Sequence, residues 1–476
     1  MASEQQYIDL YGQARQMIFD HAPEVMNAVR DQAFEDFKAQ GFPSKKVERY
    51  KYTDLQKLFA PDYGVNINRL NIPVDPYEAF RCDVPNLSTS LYFVVNDAFY
   101  KRGEGQEVRG EKGEVRGERI PQAQLPEGVI VDSLANVFSH PSPLTSHLSS
   151  YYAQLAKTSE DAVTALNTML AQDGLLVYVP KNVKVDRAIQ VINILKAPSL
   201  TSHPSPLPSY TMVNRRVLII LEEGAEIKML FCDHAADDRH FLATQVIEAY
   251  VGDNASLDLY CLEETHAKNV RVSNVYIDQQ RNSRVNHNVI TLHNGTTRNK
   301  LDLTFSGEGA ECACYGCVIA DKQQHVDNNT LIVHKVPHCT SNELYKYVLD
   351  DQATGAFAGR VLVEHGAQKT TSQMTNQNLT ATREAHMFTQ PMLEIYADDV
   401  KCAHGSTVGQ LNDAALFYMR QRGISLDEAK LLLQNAFINE VIDHMQLAPL
   451  RDRLHHLVEK RFRGELNKCE GCKLCK

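Results

Sequence analysis

Cysteine is the residue type in this sequence whose spacing most readily supports chemistry. The chain has 11 cysteines, and three of them, Cys469, Cys472 and Cys475, form a C-x-x-C-x-x-C run. This spacing resembles the opening of a bacterial ferredoxin ligand run, in which thiolates converge on one iron-sulfur cluster. The run is therefore interpreted either as a metal or cluster site or, with equal weight, as a solvated, redox-labile tail.

A second cysteine group lies at Cys312, Cys314 and Cys317. Because side chains alternate between the two faces of a strand, only Cys312 and Cys314 would share a face. Core packing is the favoured role for this group, since free cysteine behaves as a small apolar side chain. An odd number of scattered cysteines also favours free thiols or metal ligands in a reducing cytosol over a disulfide framework.

The elements that must position these residues are mostly short strands. From about 174 to 400, β-branched and aromatic runs alternate with turn residues. A small pair recurs there, and its second residue returns at intervals of 30, 28, 27 and 57 residues. This period predicts the stacked rungs of a solenoid with small residues at one corner, although ordinary β-turns could also fall into such a register. The pairs are Gly224-Ala225, Asn254-Ala255, Asn282-Ser283, Gly309-Ala310 and Gly366-Ala367.

Both ends of the chain show helical patterns. Apolar residues at helical spacing occupy residues 4–40, and a helix over 413–422 should end at Gly423. Ser425 and Glu428 have capping-box spacing, and they precede an apolar stripe that must dock on another surface. One interpretation is that these helices cover the solenoid's open end, whose last rung has unpaired edges. The stripe consists of Ala429, Leu432, Leu433, Ala436, Phe437 and Val441.

Together these patterns predict three regions. They are a helical N-terminal region (1–80), a β-solenoid core (81–405) and a helical C-terminal region with the cysteine-rich tail (406–476). Two polar segments, at about 103–120 and 197–210, cannot build a core and are expected to be solvated insertions.

Composition excludes several functional classes. The formal net charge of −10 argues against a general binder of nucleic acid or anionic membrane, because those partners need a basic surface. There is no apolar run of membrane-spanning length and no secretory pattern at the start, so we expect a cytoplasmic protein. No Walker A loop is present, so any ATP hydrolysis must come from a partner.

The most specific motif follows the last predicted strands. The sequence LEIYADDVKCAHG at 393–405, with LFYMRQRGI at 416–424, resembles the C-terminal signature of the SufB/SufD family of iron-sulfur cluster assembly proteins. Segments ERYKYTD (48–54), HKVPHCTS (334–341) and QNAF (434–437) agree in the same order. Within this family, Cys402-x-His404-Gly405 is similar to the SufD branch, whereas SufB-like sequences read H-E-A there.

The resemblance implies a mainly β fold, with a right-handed parallel β-helix flanked by helical N-terminal and C-terminal regions. It implies a non-catalytic subunit of the SUF complex that pairs with SufB through the β-helix. The SufC ATPase would bind the C-terminal helices. When isolated, the chain could form a homodimer. The cargo would be a transient Fe-S cluster or iron shared with SufB. The implied SufC contacts are Arg422, Gly423, Leu432, Ala436 and Phe437.

His404 is the residue that the resemblance singles out. It falls on the family's interface histidine, which is thought to face a SufB cysteine, and neutral imidazole is a good iron ligand. On residue chemistry alone, a hydrogen bond within the last rung is the favoured role of His404, and the resemblance reverses that preference. Cys402 would lie on the same face of a strand as His404. It is either a second soft ligand or a buried small side chain, and the buried side chain is the favoured interpretation.

Two other functions stay open on the sequence. One is a SufB-type scaffold that itself carries the cluster. The other is a carbohydrate-active enzyme, since parallel β-helices also carry lyases and hydrolases with clustered carboxylates. Asp350, Asp351 and Glu364 are the candidates for such a cluster.

Overall fold

The computed structural model describes residues 3–70, 72, 76, 89–100, 125–197 and 210–465. The predicted insertion at 103–120 and the cysteine run at 469–475 lie outside these residues, as does nearly all of the segment 197–210.

The β-rich part of the chain is built from short strands that follow one another closely. Their bounds are β1 (Gly64–Val65), β2 (Ser90–Val95), β3 (Ala98–Tyr100), β4 (Ile130–Ser133), β5 (Leu175–Val179), β6 (Ile189–Leu195), β7 (Tyr210–Leu221), β8 (Glu226–Ala235), β9 (His240–Val251), β10 (Ser256–Glu264), β11 (Asn269–Gln279), β12 (Arg284–His293), β13 (Thr296–Phe305), β14 (Glu311–Ala320), β15 (His325–His334), β16 (Thr340–Leu349), β17 (Thr354–Val363), β18 (Thr371–Thr380), β19 (His386–Ile395) and β20 (Lys401–Gly409).

These strands form a parallel β-helix with two faces. Sheet A has the order β19-β17-β15-β13-β11-β9-β7-β5-β4, and sheet B has the order β20-β18-β16-β14-β12-β10-β8-β6-β2-β3. Only the pairs β4–β5 and β2–β3 are antiparallel among the described strands. Seven turns of two strands each run from β7 and β8 to β19 and β20. The predicted solenoid is confirmed.

The interior of the solenoid holds most of the apolar core. Alternate residues of each strand point inward, and stacked rungs place like residues above one another. Ile219, Leu257, Leu303 and Val361 belong to this continuous interior cluster. No single rung could bury such a face alone, which is why the rungs stack.

The repeated corner is confirmed with one correction. Its first residue adopts positive φ at Gly224, Asn254, Asn282 and Gly309, and the next residue is buried each time. The series then continues through His338 and Lys369 (φ 62° and 60°), followed by buried Cys339 and Thr370. The predicted pair Gly366-Ala367 is therefore not the corner, since it lies three residues earlier. The residue types hid the true positions, because lysine seldom adopts this backbone conformation and histidine is less typical of it than glycine.

Helices flank the solenoid on both outer faces. Those of the N-terminal half are α1 (Gln5–Asp20), α2 (Glu24–Asn27), α3 (Arg30–Gln40), α4 (Leu55–Leu58), α5 (Leu134–Phe138), α6 (Pro143–Ser149) and α7 (Ala162–Leu170), and those of the C-terminal end are α8 (Asp413–Gln421), α9 (Leu426–Ile442) and α10 (Ala448–Phe462). Within the described residues, none of the helices has the length and apolar character needed to cross a membrane.

The N-terminal helices pack on the outer face of sheet A, where Met212, Leu242 and Val272 join their core. Residues 48–54, which we call the strap, then run across the same face toward the last rung. Arg49 pairs with Asp302 at 2.5 Å. The Tyr52 hydroxyl donates to Gln390 Oε1 on β19 at 2.9 Å. The strap therefore joins the N-terminal region to the end of the solenoid.

The C-terminal helices do not cover the open end, contrary to the simplest interpretation of the sequence. Ile438 on α9 and Leu454 on α10 pack against Tyr260, Ile290 and other outward residues of sheet B. That face of sheet B is itself apolar and would otherwise be exposed to water.

The buried side of α9 also differs from the predicted stripe. Ala429 and Val441 are buried as expected, but Leu432 is 40% exposed and Ala436 is exposed. Because α9 contacts both sheet B and α10, its buried surface spans a different set of positions. That set is Ala429, Leu431, Ile438, Val441 and Ile442.

Candidate functional site

The open end of the solenoid is the rung formed by β19 and β20. Among the described strands, β19 pairs only with β17 and β20 only with β18. Both strands therefore have a free edge whose backbone N–H and C=O groups can pair with another chain. Most of β20 is exposed, unlike the buried strands before it.

Cys402 and His404 lie on β20 in one inward-facing row. Cys402 is in register with Ser372 and His404 with Met374, and both of these β18 residues are buried in the interior. The two candidate ligands thus share a face, as their spacing predicts. Their row continues the interior of the solenoid to its open end.

The two side chains differ in exposure. Cys402 is partly buried against the interior apolar cluster, whereas His404 is exposed. Burial raises the pKa of the Cys402 thiol, and the backbone N–H of Ser372 partly opposes this by favouring the thiolate. The favoured sequence interpretation, a buried small side chain, therefore describes Cys402 only in part.

The open end by itself supplies too few ligands for a metal ion. Within the described ranges, no group of three or more His, Cys, Asp or Glu residues has a geometry that could hold one. Iron or a cluster bound at Cys402 and His404 would need further ligands from another chain or from outside the described ranges. This arrangement suits a site completed by a partner.

An apolar rim surrounds the open end, and sequence reasoning missed it. Phe388, Ile395, Tyr396 and Val408 are large apolar residues of the last rung and its connection that remain exposed. Phe388 stacks on Tyr52 of the strap, with ring centroids 5.0 Å apart. Ile395 and Tyr396 lie within the recognised signature, but sequence alone does not say that the last rung is uncovered.

The second exposed region is the α8–α9 hairpin. No residue of α8 is buried, and Phe417 is 64% exposed. The Arg422 guanidinium lies over the Tyr418 ring and donates to its hydroxyl at 2.9 Å. Gly423 ends this turn with φ +86°.

Phe437 differs from the other predicted SufC contacts. Its ring lies 4.3 Å from the Lys346 ammonium on sheet B, so it attaches α9 to the solenoid. Arg422, Gly423, Leu432 and Ala436 are instead exposed.

The remaining cysteines that the sequence singles out lie in different parts of the chain. Cys312 and Cys314 are buried in the interior of the solenoid, while Cys317 is buried on the outer face of sheet B beneath the C-terminal helices. Core packing is thus their structural role. Cys469, Cys472 and Cys475 lie outside the described residues.

The carboxylates considered for an enzyme do not cluster. Asp350 and Asp351 precede β17, and Glu364 follows it. The 10 residues of this strand place the two groups at opposite corners, roughly 30 Å or more apart. They cannot act on one glycosidic bond, which needs carboxyl groups within about 10 Å.

Comparison with known proteins gives the family. A profile described as the SufBD protein N-terminal region matches residues 1–191. A second, described as the SufBD core domain of the SUF system for FeS cluster assembly, matches residues 205–437. The chain belongs to the SufB/SufD family. The core match includes both Cys402 and His404, and the N-terminal match includes the strap.

Individual members of the SufB/SufD family are similar at modest identity. An iron-sulfur cluster assembly SufBD family protein of Synechocystis is 27% identical over 88% of this chain and 87% of its own length. The SufD protein of Escherichia coli is 33% identical, but over 36% of this chain and 41% of its own. The SufD protein of Bacillus subtilis is 24% identical over 64% and 68%. A SufB/SufD protein is a component of iron-sulfur cluster assembly and works within a complex of the SUF system.

Proposed function

We propose that this chain is the SufD-type subunit of a SUF complex. In this role it pairs with a SufB-type paralogue and with the SufC ATPase, and it helps to build and transfer nascent clusters without catalysing a reaction of its own. The observation that carries the proposal is the open end of the solenoid, where Cys402 and His404 lie on the last rung, whose outer edge has no partner among the described strands.

The open end is the proposed contact with SufB. A related solenoid can cover both the two free strand edges and the apolar rim. The described residues supply too few ligands for a metal ion, and a partner would provide the others. His404 is exposed and can reach an iron atom at such a junction, while Cys402 lies behind it. In this role iron or a cluster is the cargo, and the two chains share it. Cys402 and His404 could also aid the entry of iron.

The α8–α9 hairpin is the proposed SufC contact. Phe417, Tyr418 and Leu432 form an exposed apolar surface, which is typical of a protein interface. Arg422 and Gly423 fix the turn between the helices. Because α9 is fastened to sheet B, movement of the hairpin by an ATPase would be transmitted to the solenoid.

A SufB-type scaffold is the second candidate. In that role the chain alone would retain a cluster after reconstitution. The Cys402-x-His404-Gly405 segment and the SufD relatives favour the first candidate. The carbohydrate enzyme is disfavoured by the wide separation of its carboxylates.

The decisive experiment is co-purification of the tagged chain with the SufB and SufC proteins of its own cell, followed by anaerobic reconstitution. We expect a three-component complex that gains sulfur-to-iron absorption bands, whereas the isolated chain gains none. The proposal is contradicted if the chain purifies alone and does not bind SufC. A cluster on the isolated chain would favour the SufB-type role.

A further inference from the structure

A groove of about 710 Å³ runs along one corner of the solenoid. It crosses the turns that precede β13, β15, β17 and β19, so it leads along the stack to the last rung. We call it the turn groove. Its lining includes Thr296, Gln323, Gln352 and Thr382, with the carboxylates of Asp351 and Glu384 toward the open end.

Helix α10 ends beside the turn groove. The Arg461 guanidinium donates to the Leu292 carbonyl at 2.6 Å, to Asp321 at 2.8 Å and to Gln324 Oε1 at 3.2 Å. Gln324 is itself part of the groove wall. The described chain ends at residue 465, four residues after this anchor. The described chain therefore ends next to the groove, and segment 466–476 follows it in the sequence.

The segment is long enough to follow the groove to its end. Eleven residues can span at most about 36 Å when extended. From the rung of β15 to that of β19 the distance is two strand spacings, about 10 Å. The segment can reach the last rung without being fully extended.

The chemistry of the two surfaces is complementary. Segment 466–476 carries Lys468, Lys473 and Lys476 against Glu470, while the whole chain has a net charge of −10. Asp351 and Glu384 are exposed in the groove, although Lys322 also lines it. The exposed amides of Gln323 and Gln352 can both donate to and accept from an extended backbone.

We propose that residues 466–476 bind along the turn groove and bring Cys469, Cys472 and Cys475 progressively closer to the last rung. The thiols are then held at the margin of the open end instead of moving freely around the α10 terminus. Their use as an acceptor for iron or a cluster there rests on the proposed function, but the docking itself does not.

Disulfide trapping in the full-length, metal-free chain tests the docking. Gln352→Cys places a thiol in the groove at an exposed turn position. Asp427→Cys places one at an exposed position outside the groove, next to Glu428, which pairs with Arg463 near the end of the described chain. After mild oxidation, mass spectrometry should show Gln352→Cys linked to the 469–475 run with about tenfold higher yield than Asp427→Cys, because docking raises the effective concentration. Glu384→Cys should shift the linkage toward Cys475.

Equal yields from the two positions would overturn the proposal, since both lie within reach of a free tail that starts after Glu465. A second readout is hydrogen exchange of the full chain against a chain ending at Glu465. Turn residues 322–324 and 351–352 should lose protection in the shorter chain, and unchanged protection would also overturn docking. Neither measurement uses iron or partners, so failure of the proposed function would leave these results unaffected.

Discussion

The ammonium of Lys346, on β16, forms an ion pair with the carboxylate of Glu440 on α9. The lysine side chain is only 2% exposed, whereas that of Glu440 is 58% exposed. The Phe437 ring covers the same ammonium. A nearly buried charge on sheet B is thus neutralised by the helix that lies over it. The position of α9 depends on this pair as well as on apolar packing.

Loss of the carboxylate should loosen α9. Glu440→Ala leaves the Lys346 ammonium without its partner, at a cost of about 2 kcal/mol once the exposure of Glu440 is considered. The double variant Lys346→Met with Glu440→Leu removes both charges and should recover most of that loss. Hydrogen exchange of the α9 amides measures the effect. Equal loss of protection in the single and double variants would contradict this account.

Replacement of the exposed imidazole should affect cargo and leave assembly intact. His404→Ala removes a ligand group that packs on nothing essential, so co-purification with SufB and SufC should persist. Cluster formation in the reconstituted complex should fall by at least about tenfold. Anaerobic absorbance and iron counting provide the measurement.

A matched histidine controls for surface effects at the same rung. His386→Ala changes an exposed histidine at the start of β19, on the other sheet. It should leave the cluster yield unchanged. Equal yields for His404→Ala and the parent complex would remove His404 from the site.

Glu343 should make the solenoid less stable as pH rises. Its carboxyl is buried in the interior, which raises its pKa from 4.5 to about 7, with a smaller opposing effect from the Thr330 hydroxyl. Because the folded chain holds this proton more tightly than the unfolded chain, stability falls between pH 4.5 and 7. Full ionisation costs about 3 kcal/mol.

Glu343→Gln tests this linkage with a neutral side chain of the same shape. The urea midpoint of the variant should match the parent at pH 5 and exceed it at pH 8. Glu308→Gln, at an exposed turn, should follow the parent at both values. A parent advantage at pH 8 would mean that the Glu343 carboxylate is stabilised in the folded chain.

Two glycines of sheet B should respond very differently to a methyl group. A Cβ at Gly316 would lie 2.0 Å from the Tyr345 ring in the interior, whereas nothing lies within 4 Å of a Cβ at Gly405. Gly316→Ala should cost about 3 kcal/mol through overpacking, and Gly405→Ala should be neutral. Thermal unfolding of the two variants decides this, and equal midpoints would show that the Tyr345 ring can move aside.

The sequence predicted helix ends and turns well where neighbouring residues along the chain decide them. The α9 N-terminus has the expected N-cap, with the Ser425 hydroxyl accepting from the Glu428 N–H at 3.2 Å, although the Glu428 carboxylate pairs with Arg463 instead of completing a capping box. Four of the five proposed corner pairs were correct, because Gly and Asn are the common residues at positive φ. His338 and Lys369 escaped notice because neither is a small turn residue, and only the stacking of the rungs shows that they occupy the same corner.

The sequence by itself determined the solenoid, the helical ends and the family, since hydrophobic period, turn residues and contiguous motifs are all readable along the chain. Only the tertiary structure decided that α9 and α10 lie on sheet B and leave the last rung open. It also decided that the strap reaches β19, joining Tyr52 to Gln390 across 338 residues of sequence. Such relations depend on which faces meet, and apolar spacing shows that a face is buried without showing what buries it.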